Sequence, residues 1–428
     1  VLITIGTVIG SGIYLVPSVV LRETGGGASA ALLVWTVGGV LSLLGALTYA
    51  ELGASNPDAG GLYVYLRDAF GPLPAFLYGW TSFFVIASGS VATLAVAFST
   101  YLGQLVSLSP LAARLVSIVL IAFLAAVNIR GTRKSANVQN WTTGAKVGGL
   151  VVLGLGLILA GGAPRATAAA AATPLTLAGV GTAMIGVLWA YEGWQYVTFS
   201  AGETRDPQRV FPRAITFATA ALVVIYLLAN FGYLVALGPV AAMKSETVAA
   251  DAVGTVLGAV AGKVVGALIL VSIFSATNGL FLTSPRMYFA MARDGVFFKR
   301  LADIHPRFET PAFAIIAIAA WSALLAATGT FQQLLTYVVF TGWAFYGLGA
   351  LSIFALRRRF PDAPRPFRVP GYPITPVLFV ASAAALVLNT IITQPTRAAA
   401  GIAVVLLGTP AFYLWRRARS RDAALSPT

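Results

Sequence analysis

Apolar runs long enough to cross a bilayer recur along the whole chain, separated by short polar stretches rich in Pro or Arg. A membrane helix needs about 20 predominantly apolar residues. About twelve segments approach that length: 1–21, 30–52, 73–105, 111–127, 142–161, 176–199, 211–237, 256–284, 311–328, 331–356, 374–393 and 398–415. The first is interrupted at its middle, where residues 7–14 read Thr-Val-Ile-Gly-Ser-Gly-Ile-Tyr. Each glycine in a helix interior costs about 1 kcal/mol relative to Ala. In hydrocarbon, a freed backbone group costs several kcal/mol unless protein, ligand or a water-filled cavity satisfies it. The triplet Gly10-Ser11-Gly12 therefore predicts a broken helix around a bound polar group at mid-membrane depth. The competing reading is close helix packing, for which Gly6 and Gly10 also have suitable spacing.

A second interruption stands five segments later, in Val187-Leu188-Trp189-Ala190-Tyr191-Glu192-Gly193-Trp194-Gln195-Tyr196. An acid, a glycine and two Trp are a poor run for a lipid-facing helix. Corresponding breaks in two halves point to the binding site of a secondary transporter built from inverted repeats. The predicted fold is an all-α integral membrane protein forming one polytopic domain. Repeat 1 covers about 1–161 and repeat 2 about 176–356, with two peripheral helices at about 374–415.

Composition agrees, since 58% of the residues are hydrophobic and 10% are charged, against about 25% charged in soluble domains. The net charge of +14 does not require nucleic acid. With the N-terminus inside and the chain alternating, 21 of the 28 Lys and Arg fall on the cytoplasmic side. The positive-inside rule accounts for that excess and sets both termini in the cytoplasm. The chain has no cysteine and one histidine, His305, in a basic loop. A metal site, a thiol nucleophile and a cofactor are therefore not expected. No cleavable signal peptide is visible, and the chain opens without Met inside a helix.

Several stretches resemble the amino acid–polyamine–organocation (APC) superfamily, and more closely the L-amino-acid transporters whose eukaryotic members are light chains of heteromeric exchangers. They are G-T-V-I-G-S-G-I-Y at 6–14, A-L-T-Y-A-E-L-G at 46–53, W-A-Y-E-G-W at 189–194, A-G-E-T-R-D-P-Q-R-V-F-P-R-A at 201–214, S-A-T-N-G-L-F-L-T-S-P-R at 275–286 and D-I-H-P-R-F-E-T-P at 303–311. The resemblance implies a LeuT-type fold of five plus five helices and sodium-independent amino-acid transport. It implies that the backbone around Gly10, Ser11 and Gly12 binds the substrate carboxylate. A half-helix N-terminus suits that task, because it offers unpaired N–H groups and a positive dipole end. The carbonyls of Val8, Trp189 and Glu192 would then hold the amine. Trp189 matches a bulky aromatic that gates the site from outside, against the alternative of a packed bundle aromatic. Trp343, Ser272, Ser275 and Asn278 are candidates for the pocket wall, or for contacts between helices.

Two of the charges inside predicted spans, Lys146 and Glu192, call for a role. Lys146, in the fifth, costs about 2.5–3.5 kcal/mol at a helix centre on insertion scales. By resemblance it replaces a sodium ion between the first and eighth helices, as a fixed cation or as a proton-coupling group. The bland alternative is a lysine snorkelling to the interface. Glu192 could attract a cationic side chain, carry a proton, or bond neighbouring backbone. Glu51, Glu203 and Asp206 are expected near the inner side, as solvated ion pairs worth under about 1 kcal/mol or as links that hold the inward gate.

The reading is a sodium-independent L-amino-acid transporter working by alternating access. It is expected to exchange neutral amino acids, with cationic ones admitted through Glu192. A proton-coupled symporter is the alternative, and a sensor or channel are different classes. No enzyme constellation is present. The partners expected are small L-amino acids and the lipid bilayer of a bacterial inner membrane. Eukaryotic relatives join an ancillary glycoprotein through a disulfide, a link that no residue of this chain can form.

Overall fold

The computed structural model describes residues 1–56, 60–161, 174–203 and 206–424, with the side chains of 132–138, 200–203 and 418–424 left aside. Of the Lys and Arg counted above, Arg133, Lys134, Arg165, Arg205, Arg419 and Arg421 lie outside the described side chains, as does Glu203.

The described residues fold as helices and connecting turns. In order they are α1 (Leu2–Val8), α2 (Gly12–Glu23), α3 (Ala28–Ser55), α4 (Leu62–Phe70), α5 (Pro72–Leu105), α6 (Pro110–Ile129), α7 (Thr132–Ala160) and α8 (Leu177–Ala190). There follow α9 (Pro207–Lys244), α10 (Val248–Leu257), α11 (Ala259–Arg293), α12 (Ala312–Thr328), α13 (Phe331–Arg359), α14 (Ile374–Thr393) and α15 (Pro395–Arg417). Nine of these are long and apolar enough to cross a membrane, and α1 with α2 make a tenth when counted as one bent span. The chain is thus an all-α integral membrane protein. Helices α8 and α12 are shorter apolar helices at the predicted sixth and ninth positions.

Helix starts follow local chemistry. Ser109 caps α6 by accepting from Ala112 N at 3.2 Å, with Pro110 in the first turn. Thr330 and Gln333 form a reciprocal capping box on α13, satisfying donors that a helix start leaves orphaned. The predicted seventh segment, 211–237, ends at a kink: Gly238, at φ 71°, is non-helical, and a short second helix runs on from Pro239 to Lys244. Helices α4 and α10 are too short to give a spanning pattern in the sequence. The last turn of α3, α4, the end of α11 and the end of α13 meet in a charged cluster, here termed the basic end. Arg67 bonds Asp294 at 2.7 Å and Asp68 at 2.9 Å, and Tyr63 donates to Asp294 at 2.7 Å. Burial acts against the charge of Arg67, but its hydrogen bonds to Asp294 and Asp68 outweigh it and hold the guanidinium above its ordinary value.

Glu51, expected near the inner side as a solvated ion pair or as a link holding the inward gate, is 2% exposed. It accepts from Arg357 at 2.6 and 2.8 Å and from the backbone N–H of Val369 at 2.7 Å. Arg357 also stands over the ring of Tyr372 at 3.6 Å. One buried carboxylate therefore joins α3 to the end of α13 and to the loop before α14.

Candidate functional site: two broken helices face to face

The first span bends by 46° between α1 and α2. Residues Ile9 to Ser11 lie between the two helices, which leaves carbonyls exposed at the end of α1 and N–H groups exposed at the start of α2. On the carbonyl side, the ammonium of Lys146 donates to Gly6 O at 2.5 Å and to Ile9 O at 2.8 Å. Ser272 Oγ also reaches Ile9 O at 3.3 Å, and Tyr226 OH reaches Val8 O at 3.3 Å. A cation at a helix C-terminus opposes the negative end of the dipole. Lys146 is 6% exposed. It does not extend to an interface.

The N–H side is different. Among the described residues, none accepts from the N–H groups of Gly10, Ser11 and Gly12. Ser11 Oγ is likewise buried without a hydrogen-bond partner there. These groups line a cavity with Thr7, Val8, Ser90, Leu94, Trp189, Glu192, Tyr196 and Leu280. Both breaks, 180 residues apart in sequence, thus open onto one space.

The breaks meet through backbone. A Cβ on Gly12 would stand 2.4 Å from Ala190 Cα, and one on Gly193 would stand 3.3 Å from Thr7 O. Gly193 also has φ 124°, a region that a side chain strains. After α8, the chain turns through Tyr191 to Gly193 into a 3-10 stretch, Trp194–Glu203. Trp189 O already accepts from Glu192 N at 3.0 Å. The cavity holds only about 20 Å³, room for roughly one water. The two breaks are closed on each other.

Glu192 faces this space while its carboxylate is tied down. Tyr346 OH donates to Glu192 Oε1 at 2.5 Å, and Gln195 Nε2 donates to the same oxygen at 2.7 Å. Gln195 Nε2 also reaches Tyr346 OH at 2.8 Å, and Gln195 Oε1 accepts from Gly193 N at 3.2 Å. Neither Tyr346 nor Gln195 was singled out from the sequence. The available signal was a polar residue three after Glu192 and an aromatic three after Trp343, one helical turn on.

The remaining candidates lie apart from the cavity. Trp343 packs against Phe379 of α14, with ring centroids 5.2 Å apart. Phe379 also meets Trp194 at 6.0 Å and is fully buried, so α14 backs the second break. Ser275 bonds Thr142 at 2.7 Å and Gln139 at 3.3 Å. Asn278 accepts from Asn128 at 2.8 Å and donates to Gln139 at 3.3 Å. Together they stitch α6, α7 and α11 beneath α1, where Gly6 lies against Thr143 and Gln139. Among the described residues, no group of three or more acidic, His or Cys side chains could hold a metal.

Comparison with known proteins gives the same direction. The family model for amino acid permeases matches residues 1–412. The chain is 31% identical over 417 residues to the serine/threonine exchanger SteT of Bacillus subtilis, covering 96% of this chain and 94% of that protein. It is 31% identical over 420 residues to the human cystine/glutamate transporter, covering 96% and 83%. The human b(0,+)-type amino acid transporter 1 is 33% identical over 401 residues, covering 92% and 82%. Amino-acid transport, carried out by a membrane-spanning permease, is what these proteins share with the architecture described above. This chain belongs to the amino acid permease family of the APC superfamily.

Proposed function

We propose that the chain is a sodium-independent exchanger of neutral L-amino acids, with Gly10, Ser11 and Gly12 holding the substrate carboxylate. The observation that carries this reading is the set of three backbone N–H groups without an acceptor at the start of α2, facing the second break. A carboxylate is the complement of such a helix N-terminus. The substrate amine would approach Val8 O, Trp189 O and Glu192 O, completing recognition of the part common to all α-amino acids. Side-chain selection then falls to groups around Trp189 and Glu192.

Lys146 is assigned the place of a coupling cation. Its ammonium joins α7 to both sides of the α1 terminus, through Gly6 O and Ile9 O, so no soluble ion is required there. Alternating access would use a LeuT-type arrangement in which about 1–161 and about 176–356 are inverted repeats. Closure of the cavity to the size of one water fits a state between outward and inward opening. The gathering of Arg67, Arg357 and Arg365 at one end supports a cytoplasmic basic end, in a bacterial inner membrane.

A second reading, proton-coupled symport, draws on the buried carboxyl of Glu192 beside the same cavity. Reconstitution into proteoliposomes separates the two. The exchanger takes up labelled Ser, Thr, Ala or Leu only when the lumen holds an amino acid, equally in sodium and choline. Uptake into empty vesicles driven by an inward proton gradient would favour symport, and dependence on a sodium gradient would reject both.

A further inference from the structure

A cavity far larger than the one between the breaks lies beside α7. It is a groove of about 380 Å³, running along α7 from Thr142 and Lys146 to Ala160. Its other walls are the end of α10 and the first half of α11, and Tyr14 of α2 closes one end. We propose that this groove is a lipid site, holding one acyl chain of a bilayer phospholipid against the back of Lys146. The inference requires only that the chain spans a membrane and is independent of the substrate it carries.

Three observations choose this occupant. The lining is aliphatic or glycine except for Tyr14, Thr142 and Lys146, which gather at one end. Water needs two to four polar partners to settle in a cavity, and most of this groove has none to offer. Its rim is continuous with the lipid-facing surface, because the lining residues Val152, Leu257 and Leu268 are 71%, 67% and 57% exposed. The stretch from Lys146 to Ala160 is about 21 Å at the helical rise, against a hydrocarbon core of about 30 Å. That is the reach of an extended chain, and a headgroup would find no polar wall along it. An empty groove would forfeit the dispersion contacts that a chain supplies.

The glycines of α7 make the groove and provide the test. A Cβ on Gly149 or Gly156 would meet nothing within 4 Å, so both tolerate larger side chains that occupy the space. The wild-type protein would be reconstituted in phosphatidylethanolamine–phosphatidylglycerol vesicles carrying a phospholipid with a diazirine in mid-chain. After irradiation, labelled peptides are mapped by mass spectrometry. The label is expected on Leu153 and Ile269 above the level on Leu388, an exposed residue of α14. In the Gly149→Leu/Gly156→Leu double variant the label on Leu153 and Ile269 is lost and that on Leu388 is kept. Gly156→Leu alone serves if the double variant fails to fold, with partial loss expected. Labelling of Leu153 no greater than of Leu388, persistence of label in the filled variants, or labelling by a water-soluble diazirine instead would overturn the proposal.

Discussion

Tyr346 of α13 donates to Glu192 at 2.5 Å, so the acid of the second break is bound to a helix 154 residues further along the chain. The bond leaves Glu192 facing the cavity with one oxygen committed to Tyr346 and Gln195. A carboxylate so held ties the broken end of α8 to α13, and through Tyr49, which donates to Tyr346 O at 3.0 Å, to α3 as well.

Loss of that tie should loosen the closed site. Hydrogen bonds to charged groups contribute about 1.5–3 kcal/mol, so Tyr346→Phe is expected to shift the balance of conformations by roughly tenfold or more. The chain lacks cysteine, which allows Ser90→Cys to be read without background. Alkylation of that cysteine should be faster with Tyr346→Phe than without it. Equal rates would show that the bond does not hold the site shut.

Glu192→Gln keeps the shape and removes the charge. Uptake of neutral amino acids should survive in the variant, while any competition by Lys or Arg seen with the wild type should disappear. Unchanged competition by Lys or Arg would remove Glu192 from substrate selection.

Lys146→Met deletes the donor to Gly6 O and Ile9 O. Gly6 O is then buried without a donor, which costs about 1–3 kcal/mol, while Ile9 O keeps Ser272 Oγ at 3.3 Å; the thermal midpoint should fall and exchange should drop by about tenfold or more. Lys146→Arg cannot place one compact ammonium between two carbonyls and should not rescue exchange. Full activity in either variant, with or without sodium, would contradict the coupling role.

Gly12→Ala tests the meeting of the breaks. The added methyl would fall 2.4 Å from Ala190 Cα, and overpacking of this kind costs about 1–3 kcal/mol. The closed state should be disfavoured, so the rise in thermal midpoint that a bound amino acid gives the wild type should be reduced. An undiminished rise would mean that the helices need not approach so closely.

Arg357→Ala should destabilise more than Glu51→Ala. Removing the guanidinium leaves the Glu51 carboxylate as an uncompensated buried charge, and breaking a buried pair from that side costs about 3–5 kcal/mol. Arg357 is partly exposed and can be rehydrated when Glu51 is lost, so Glu51→Ala is cheaper, its main cost being the Val369 N–H left without an acceptor. The order of the two thermal midpoints checks this.

Both breaks were legible in the sequence because Gly-Ser-Gly and Tyr-Glu-Gly-Trp are anomalies within apolar runs, where any departure from helix is costly in lipid. Helices α14 and α12 match their predicted bounds within a residue for the same reason. Lys146 stood out as a charge in a span, yet its partners did not, since backbone carbonyls carry no signature in the chain. Tyr346, Gln195 and Glu51 carry no comparable signal. Tyr is common in such helices, and a carboxylate at a helix end looks solvated until the loop holding Val369 is seen to cover it.

Hydropathy and local propensity alone determined that this is an all-α membrane protein with two interrupted helices, because a bilayer penalises every unsatisfied backbone group over a fixed thickness. Only the tertiary structure decided that the interruptions face one another, that Lys146 is spent on Gly6 and Ile9, and that Glu192 is bound to Tyr346. Those pairings join residues more than a hundred positions apart, and their energies depend on distances that no local pattern encodes.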